Sequence, residues 1–442
     1  MPVPLLSLCL IVRDEAERLE SCLSSAAGLV DEIVVADTGS QDETVVLARK
    51  LGARVVELTW RDDFAAARNG CMTAARGEWV LFIDADEQLE PCDPLALRAL
   101  LGKDQAPGYS VEIVSPRGDN RQEVAHIVRL FRRRPEFQFE GRIHESILPS
   151  IARSLGREFW APPRSGLKMR HDGYRPELRA ARDKDERNRR LLRRAIEAAP
   201  DDPGPRFLYA RERLPQIDGD LVDTLEARTT LEIVAPAADR LSREPARGVT
   251  DPTLSIAARL AHCCGQPARA ARWREIWRDL CGASARWCYA TGEALMLESP
   301  TVARQAFRDA VEAPEGCEAI PTEAEMRGAW SAARIAATWI IEGNREQLNA
   351  ALTKVPPNEA RLLEAIVIAR QQGAGAALAM LLAMVRDAPH DPRGWWALAR
   401  ALAEVQENEK AAAMLATALR CAPGWSAGSG IEPSGLLSLW PT

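Results

Sequence analysis

Short, continuous apolar runs alternate with helically spaced segments over the first ninety residues. "LLSLCLIV" (5–12) leads into "RDEAERLESCLSSAAG" (13–28), which has an acidic first turn and apolar positions three and four apart. "DEIVVADTGS", "QDETVVLARKLG", "ARVVEL", "RDDFAAARNGCMTAARG" and "EWVLFIDADE" follow, giving strand–helix three times and then a fourth strand. Runs that are apolar at every position belong to strands buried on both faces. The pattern therefore predicts an α/β domain with a mainly parallel sheet and helices on both faces. Asp42 or Ser40 stands where a cap is needed for the helix of "ETVVLARKLG".

The pattern then loosens. "GYSVEIVSP" (108–116) and "HIVRLFRR" (126–133) read as strands, and "FQFEGRIHESILPSIARSLG" (137–156) as a strand or loop opening a helix near Glu145. "SGLKMRHDGY" (165–174) reads as a last strand ending at His171, so the first domain is expected to span 1–174. Residues 175–424 read as helix throughout. Trp395, Leu398, Ala399, Leu402, Ala411, Leu415, Ala418 and Pro423 stand at tetratricopeptide-like spacings, with Ala365, Ile368, Ala377, Leu381 and Pro389 in the preceding register. Repeats are clearest over 358–423, and over about 215–355 the register is poor and the repeats degenerate. The Gly/Ser/Pro-rich tail, 425–442, is expected to be flexible, with Trp440 the residue able to dock.

Bulk properties narrow the partners. The 442 residues are 46% hydrophobic and 27% charged with net charge −6, which argues against general nucleic-acid binding. No apolar run of about 18 residues predicts a membrane span. The start lacks a basic region and a small-residue cleavage site, so it reads as a first strand and not a signal peptide. The ten cysteines include no CxxC pair and read as small buried hydrophobes, which points to a cytoplasmic location.

The sharpest chemical signal is Asp84-Ala85-Asp86. Residues two apart on an extended strand end face the same side, and paired carboxylates there either share a proton or hold a hard cation. D-x-D alone is equally an acidic surface turn. Its position at the carboxyl end of the fourth strand, with Asp37 ending the second, marks the edge where open α/β sheets bind ligands.

From "LCLIVRDEAERLE" through "VADTGS" and "DDFAAARN" to "FIDADE", residues 5 to about 90 resemble the nucleotide-sugar half of family 2 glycosyltransferases. "RLFRRRPEFQFEGRIHESI" and "RHDGY" are similar to a subgroup with helical C-terminal extensions that includes sublancin-type S-glycosyltransferases. One departure is "VRDE" at 12–15, where these enzymes commonly carry Lys-Asn-Glu. The resemblance implies a type-A fold, a nucleotide diphosphate sugar donor (a UDP-sugar foremost) and a Mn2+ or Mg2+ ion. Asp37 would accept from the nucleotide base, and the backbone of Val12 to Glu15 would line the base and ribose pocket. Asp84 would contact the ribose or the metal's waters, Ala85 would lie at the donor, and Asp86 would ligate the metal. Arg68 and Asn69 would support the nucleotide or sugar; for Asn69 the alternative is an ordinary helix-surface position. His171 or His144 would complete the metal shell, although a lone histidine is commonly a structural hydrogen-bonder.

Inverting transfer needs a base for the acceptor proton, and Glu145 is the first candidate and Asp172 the second. Glu145 also fits simple charge matching at a helix start. Arg129, Arg132, Arg133 and Arg134 would meet diphosphate or an anionic acceptor, or form a solvated face with one functional arginine. The expected function is metal-dependent, inverting transfer of a hexose to a peptide or protein side chain recognised with the helical domain. Alternatives are a cell-envelope or lipid-linked saccharide as acceptor, and a catalytically inactive scaffold. A nucleotidyltransferase would open with a Gly-rich loop, which "VRDEAERLE" lacks.

Overall fold

The computed structural model describes residues 3–103, 106–116, 122–158, 160–171, 181–217, 221–246, 248–313, 326–421 and 431–441. The chain forms two compact units, residues 1–195 and 196–442. In the first, β1 (Leu6–Val12), β2 (Glu32–Asp37), β3 (Arg54–Glu57) and β4 (Trp79–Phe82) run parallel in spatial order β3-β2-β1-β4. Helices α1 (Ala16–Ser25), α2 (Thr44–Lys50) and α3 (Phe64–Ala74) connect them. Leu6, Leu8 and Leu10 of β1 enter a core shared with Leu19, Cys22 and Leu23 of α1. Cys9, between them, enters the opposite core with Ala65, Cys71 and Met72 of α3. One strand feeding two cores in alternation is the physical reason for its unbroken apolar run.

The sheet is completed by β5 (Glu87–Leu89), β6 (Gly108–Pro116), β7 (Gln122–Arg132) and β8 (Arg164–His171), with α4 (Pro94–Lys103) and α5 (Leu148–Ser154) in the intervening chain. The full order is β3-β2-β1-β4-β7-β6-β8-β5, with β7 antiparallel to β4 and β6, and β5 antiparallel to β8. The three-residue strand β5 is too short to leave a readable period, yet it pairs Glu87 with His171. The helix anticipated near Glu145 begins only at Leu148; residues 140–146 form a loop closed by the reciprocal backbone hydrogen bonds of Glu140 and Ser146, both 2.9 Å.

Helix α6 (Ala181–Ala198) contains the division between the units, which falls well beyond residue 174. Arg190 and Arg194 pair with Asp62, and the Arg187 guanidinium lies 5.3 Å from the Phe64 ring centroid. Cations from two turns of α6 thus converge on the loop entering α3.

The second unit is helical. Pro357–Gln372 with Leu378–Asp387, and Pro392–Glu404 with Asn408–Cys421, are the helix pairs at the clearest repeats. Ala365, Ala377, Ala397, Ala401 and Ala418 are fully buried, as close helix packing requires. Across the degenerate stretch the helices continue, but buried arginines occupy their contacts. Arg286 pairs with Asp251, Arg334 with Glu293, and Arg304 with Glu342 while lying over Trp339. Polar residues at core positions blur an apolar period.

Within the tail, residues 431–441 depart from the expected flexibility; 425–430 and 442 lie outside the described residues. Ile431–Pro433 pairs antiparallel with Leu221–Asp223, and Gly435–Leu439 forms a 3-10 turn. Leu436, Leu437, Leu439 and Trp440 are buried in the core that also holds Ile366 and Ala369, and Arg370 donates to the Leu439 carbonyl at 3.1 Å. Composition misleads here because "LLSLW" is a core segment flanked by loop residues. Trp440→Ala is expected to destabilise the helical unit by about 3 kcal/mol, read as a lower urea midpoint of the far-ultraviolet helix signal; an unchanged midpoint would show the tail to be dispensable.

Candidate active site

The carboxyl ends of β1 and β2 carry two loops that are bonded to each other. Asp14, in the left-handed region at φ 53°, accepts from the Gln41 amide at 2.6 Å, and its own amide donates to Ser40 Oγ at 2.9 Å. The Glu15 amide donates to Thr44 Oγ1 at 2.8 Å. Asp42 accepts from the Ala16 and Thr44 amides and so serves the starts of both α1 and α2. Asp37 is buried, and its carboxylate accepts from the Gly39 and Ser40 amides at 3.0 and 3.1 Å, stabilising its own turn. The Val12 carbonyl accepts from the Thr38 amide and hydroxyl, both at 3.0 Å.

Beyond β4 the two aspartates separate in role. Asp84 is bound by two arginines: Arg68 Nη2 lies 2.8 Å from Oδ1 and Arg129 Nη2 lies 2.7 Å from Oδ2. Burial alone would raise its pKa, but Arg129 and then Arg68 outweigh it and hold the carboxyl well below the usual range. Arg129 Nη2 also reaches Glu87 Oε1 at 3.0 Å, and Glu87 Oε2 accepts from the Asp84 amide at 2.9 Å. Burial raises the Glu87 pKa despite the opposing charge of Arg129. Ala85 is buried between the two aspartates.

Asp86 turns away from this network. Its Oδ2 is 3.2 Å from His171 Nε2, and His171 Nδ1 is 3.2 Å from Ser115 Oγ. The hydrogen bond from Asp86 raises the His171 pKa against the effect of burial. Both side chains are 23% exposed, accessible without being loose. The β5–β8 register produces this meeting, since pairing Glu87 with His171 sets Asp86 beside the imidazole. An imidazole fixed through its second nitrogen, next to a carboxylate, is an arrangement suited to a divalent cation. Among the described residues no three His, Cys, Asp or Glu side chains group as a metal site. An ion held by Asp86 and His171 would complete its shell with water and phosphate oxygens.

Arg68, expected to support the donor, is instead buried in α3 and committed to carboxylates: Nε lies 2.5 Å from Glu145 Oε1, and the guanidinium lies 5.1 and 5.5 Å from the Phe82 and Phe139 ring centroids. Burial would lower its pKa, but Asp84 and Glu145 raise it. Asn69 is a further correction. Its amide nitrogen donates to the Phe139 carbonyl at 3.0 Å and its oxygen accepts from the Phe139 amide at 2.8 Å. Both polar ends therefore anchor the chain leading to Glu145, and neither is free for the donor. Glu145 reaches the cluster from the 140–146 loop rather than from a helix start, so a helix dipole has no part in its placement. His144 is exposed, with φ 53°, and is not grouped with Asp86 and His171. Asp172 lies outside the described residues.

Arg129 is the arginine of its basic run that reaches the Asp84 and Glu87 carboxylates. Arg132 stacks 4.5 Å from the Trp79 ring centroid, Arg133 donates to the Gly77 carbonyl at 2.8 Å, and Arg134 is 3.9 Å from Glu136. Position distinguishes Arg129 in hindsight. It sits inside an apolar strand, one residue from Leu130, which pairs with Leu81 of β4. Glu87 and Ser115 had no such signal, since their partners lie in distant strands. Arg68 Nη1 and Arg129 Nε are buried without a hydrogen-bond partner among the described residues, leaving donors unmatched beside the acids.

Residues 7–158 match the sequence model of Glycosyl transferase family 2. They form a family 2 glycosyltransferase domain. A TPR repeat-containing protein of Synechococcus elongatus is 37% identical over 202 residues, which is 44% of this chain and 49% of that protein. The SPbeta prophage-derived glycosyltransferase SunS of Bacillus subtilis is 30% identical over 234 residues, 50% of this chain and 53% of that one. The chain thus spans about half the length of these curated relatives. Among solved structures, Staphylococcus aureus TarS 1-349 in complex with UDP is 15% identical with a TM-score of 0.37, over 62% of this chain and 90% of that one.

The charge network of the glycosyltransferase domain has a stability consequence. Arg129→Met leaves the buried Glu87 and the part-buried Asp84 with less countercharge and is expected to cost about 3 kcal/mol at pH 7. Asp84, with its depressed pKa, contributes stability that is present above about pH 4 and lost as pH falls through its folded value. The deficit of the variant should therefore shrink in acid, as seen by urea unfolding across pH 7 to 3. A deficit that is constant with pH would place its origin in packing.

Proposed function

We propose that the glycosyltransferase domain moves a hexose from a nucleotide diphosphate sugar, UDP-linked foremost, to an acceptor with inversion and with Mn2+ or Mg2+ as cofactor. The observation that carries this reading is the Asp86–His171 pair at the strand ends, with its 3.2 Å contact, beside buried arginines that retain unmatched donors. A divalent ion bound there supplies charge stabilisation for the departing nucleoside diphosphate. Asp86 and His171 hold it, and Ser115 orients the imidazole. The backbone of Val12 to Glu15 and the Asp37 turn form the floor for the base and ribose, kept in shape by the bonds between the two loops. Arg68 and Arg129 hold Asp84 so that the turn presents Asp86 outward. Glu145 takes the acceptor proton through Oε2, while Oε1 stays bonded to Arg68.

The acceptor in this reading is a peptide or protein segment bound by the helical unit, whose repeats offer the extended surface such arrays use. The reading carries a cytoplasmic location. No helix among the described residues is long and apolar enough to cross a membrane.

Thermal shift with uridine diphosphate should show stabilisation of the full chain only when manganese or magnesium is added, and Asp86→Ala should abolish it together with transfer. A wild-type chain indifferent to every nucleoside diphosphate with metal would overturn the enzyme reading in favour of a scaffold. Glu145→Gln should keep metal-dependent donor binding while transfer falls by roughly 10²-fold or more, measured by mass spectrometry of the glycosylated acceptor. Full activity in that variant would move the base elsewhere.

A further inference from the structure

The helical unit contains a cavity of about 210 Å³ that the proposed reaction does not use. An apolar cavity of about 150 Å³ accommodates a benzene-sized molecule, so this one has room for a small organic ligand. Its apolar walls include Ala258, Ala290 and Met296, and one side is the 3-10 segment of the tail, through Gly435 and Ser438. The charged lining is unevenly matched. Glu293 is the one acid lining it, and Arg259 Nη2 and Arg334 Nη2 both lie 3.2 Å from its carboxylate, with the Tyr289 hydroxyl also at 3.2 Å. Its acceptor capacity is therefore taken.

Arg274 and His262 face the same space with no such match. The Arg274 side chain is half-buried and makes no hydrogen bond or ion pair with a described residue. Burial lowers its pKa, opposed only by its helix neighbour Glu275. His262 stands at the exposed side of the cavity; burial lowers its pKa and Arg274 adds to the effect, against the charges of Glu293 and Glu298. A guanidinium withdrawn from water without a countercharge is costly, and an anion entering the cavity removes that cost. Guanidinium and imidazole N–H groups together suit an oxyanion, and the apolar walls suit a short carbon body.

We infer that this cavity is a binding site for a small organic oxyanion, a carboxylate or phosphate on a short apolar body, held by Arg274 and His262 and closed on one side by the C-terminal tail. The site lies wholly within the helical unit and stands whether or not the chain transfers sugar. It also assigns the tail a second purpose, since the segment that completes the hydrophobic core forms a wall of the cavity.

Isothermal titration of the full chain at fixed ionic strength, with butyrate, inorganic phosphate, phenyl phosphate and neutral butyramide as probes, tests this. At least one oxyanion should bind saturably and butyramide should not; butyrate without the phosphates selects a carboxylate ligand, and the reverse selects a phosphate. Arg274→Gln should weaken that binding by at least about tenfold, the loss expected for a charge-assisted hydrogen bond. In ligand-free protein the same variant should keep its helix content and its melting temperature, because Arg274 has no partner among the described residues to lose. Failure of every oxyanion to bind, unchanged affinity in Arg274→Gln, or a large drop in its ligand-free melting temperature would each overturn the inference.

Discussion

Two guanidinium groups buried beneath the end of β4 are the constraint on which the first unit depends. Arg68 and Arg129 are both withdrawn from water, and between them they contact Asp84, Glu87 and Glu145. Charges in such surroundings persist only when each has a partner in good geometry. Meeting that requirement ties α3, the D-A-D turn, β7 and the 140–146 loop to common coordinates. Asn69 adds a purely structural clamp through the backbone of Phe139. The loop carrying Glu145 is thereby held from α3 at two successive residues.

This arrangement changes the meaning of the two aspartates. A repeated carboxylate invites the assumption of a shared role, yet Asp84 faces the arginines while Asp86 faces His171. Asp84 is an anchor, and its anchoring presents Asp86 at the strand ends. The neighbouring acids face different partners, Asp84 the two buried arginines and Asp86 the His171 imidazole.

Buried arginine recurs in the helical unit with a different outcome. Arg286, Arg304 and Arg334 are buried, and each has an acid. These pairs hold the helices together while erasing the sequence period. Arg274, half-buried, has no acid partner among the described residues, and it lines the cavity of that unit.

Local pattern alone determined the strand–helix order of residues 5–90, the three later strands, the helical character of the second unit and the terminal repeats, because apolar periodicity is set by neighbours close in the chain. It also marked the Asp84–Asp86 pair and Asp37 by type and by position at strand ends, while His171 entered through the family resemblance. Tertiary structure alone decided that Asp86 and His171 meet, through a three-residue strand too short to carry a period. It likewise decided that Arg68 and Asn69 are bonded within the protein, that Arg129 and Glu87 join the same charge cluster, and that Trp440 is core. Each of these rests on a contact across forty or more residues, where burial and the pairing of charge, not local spacing, select the partner.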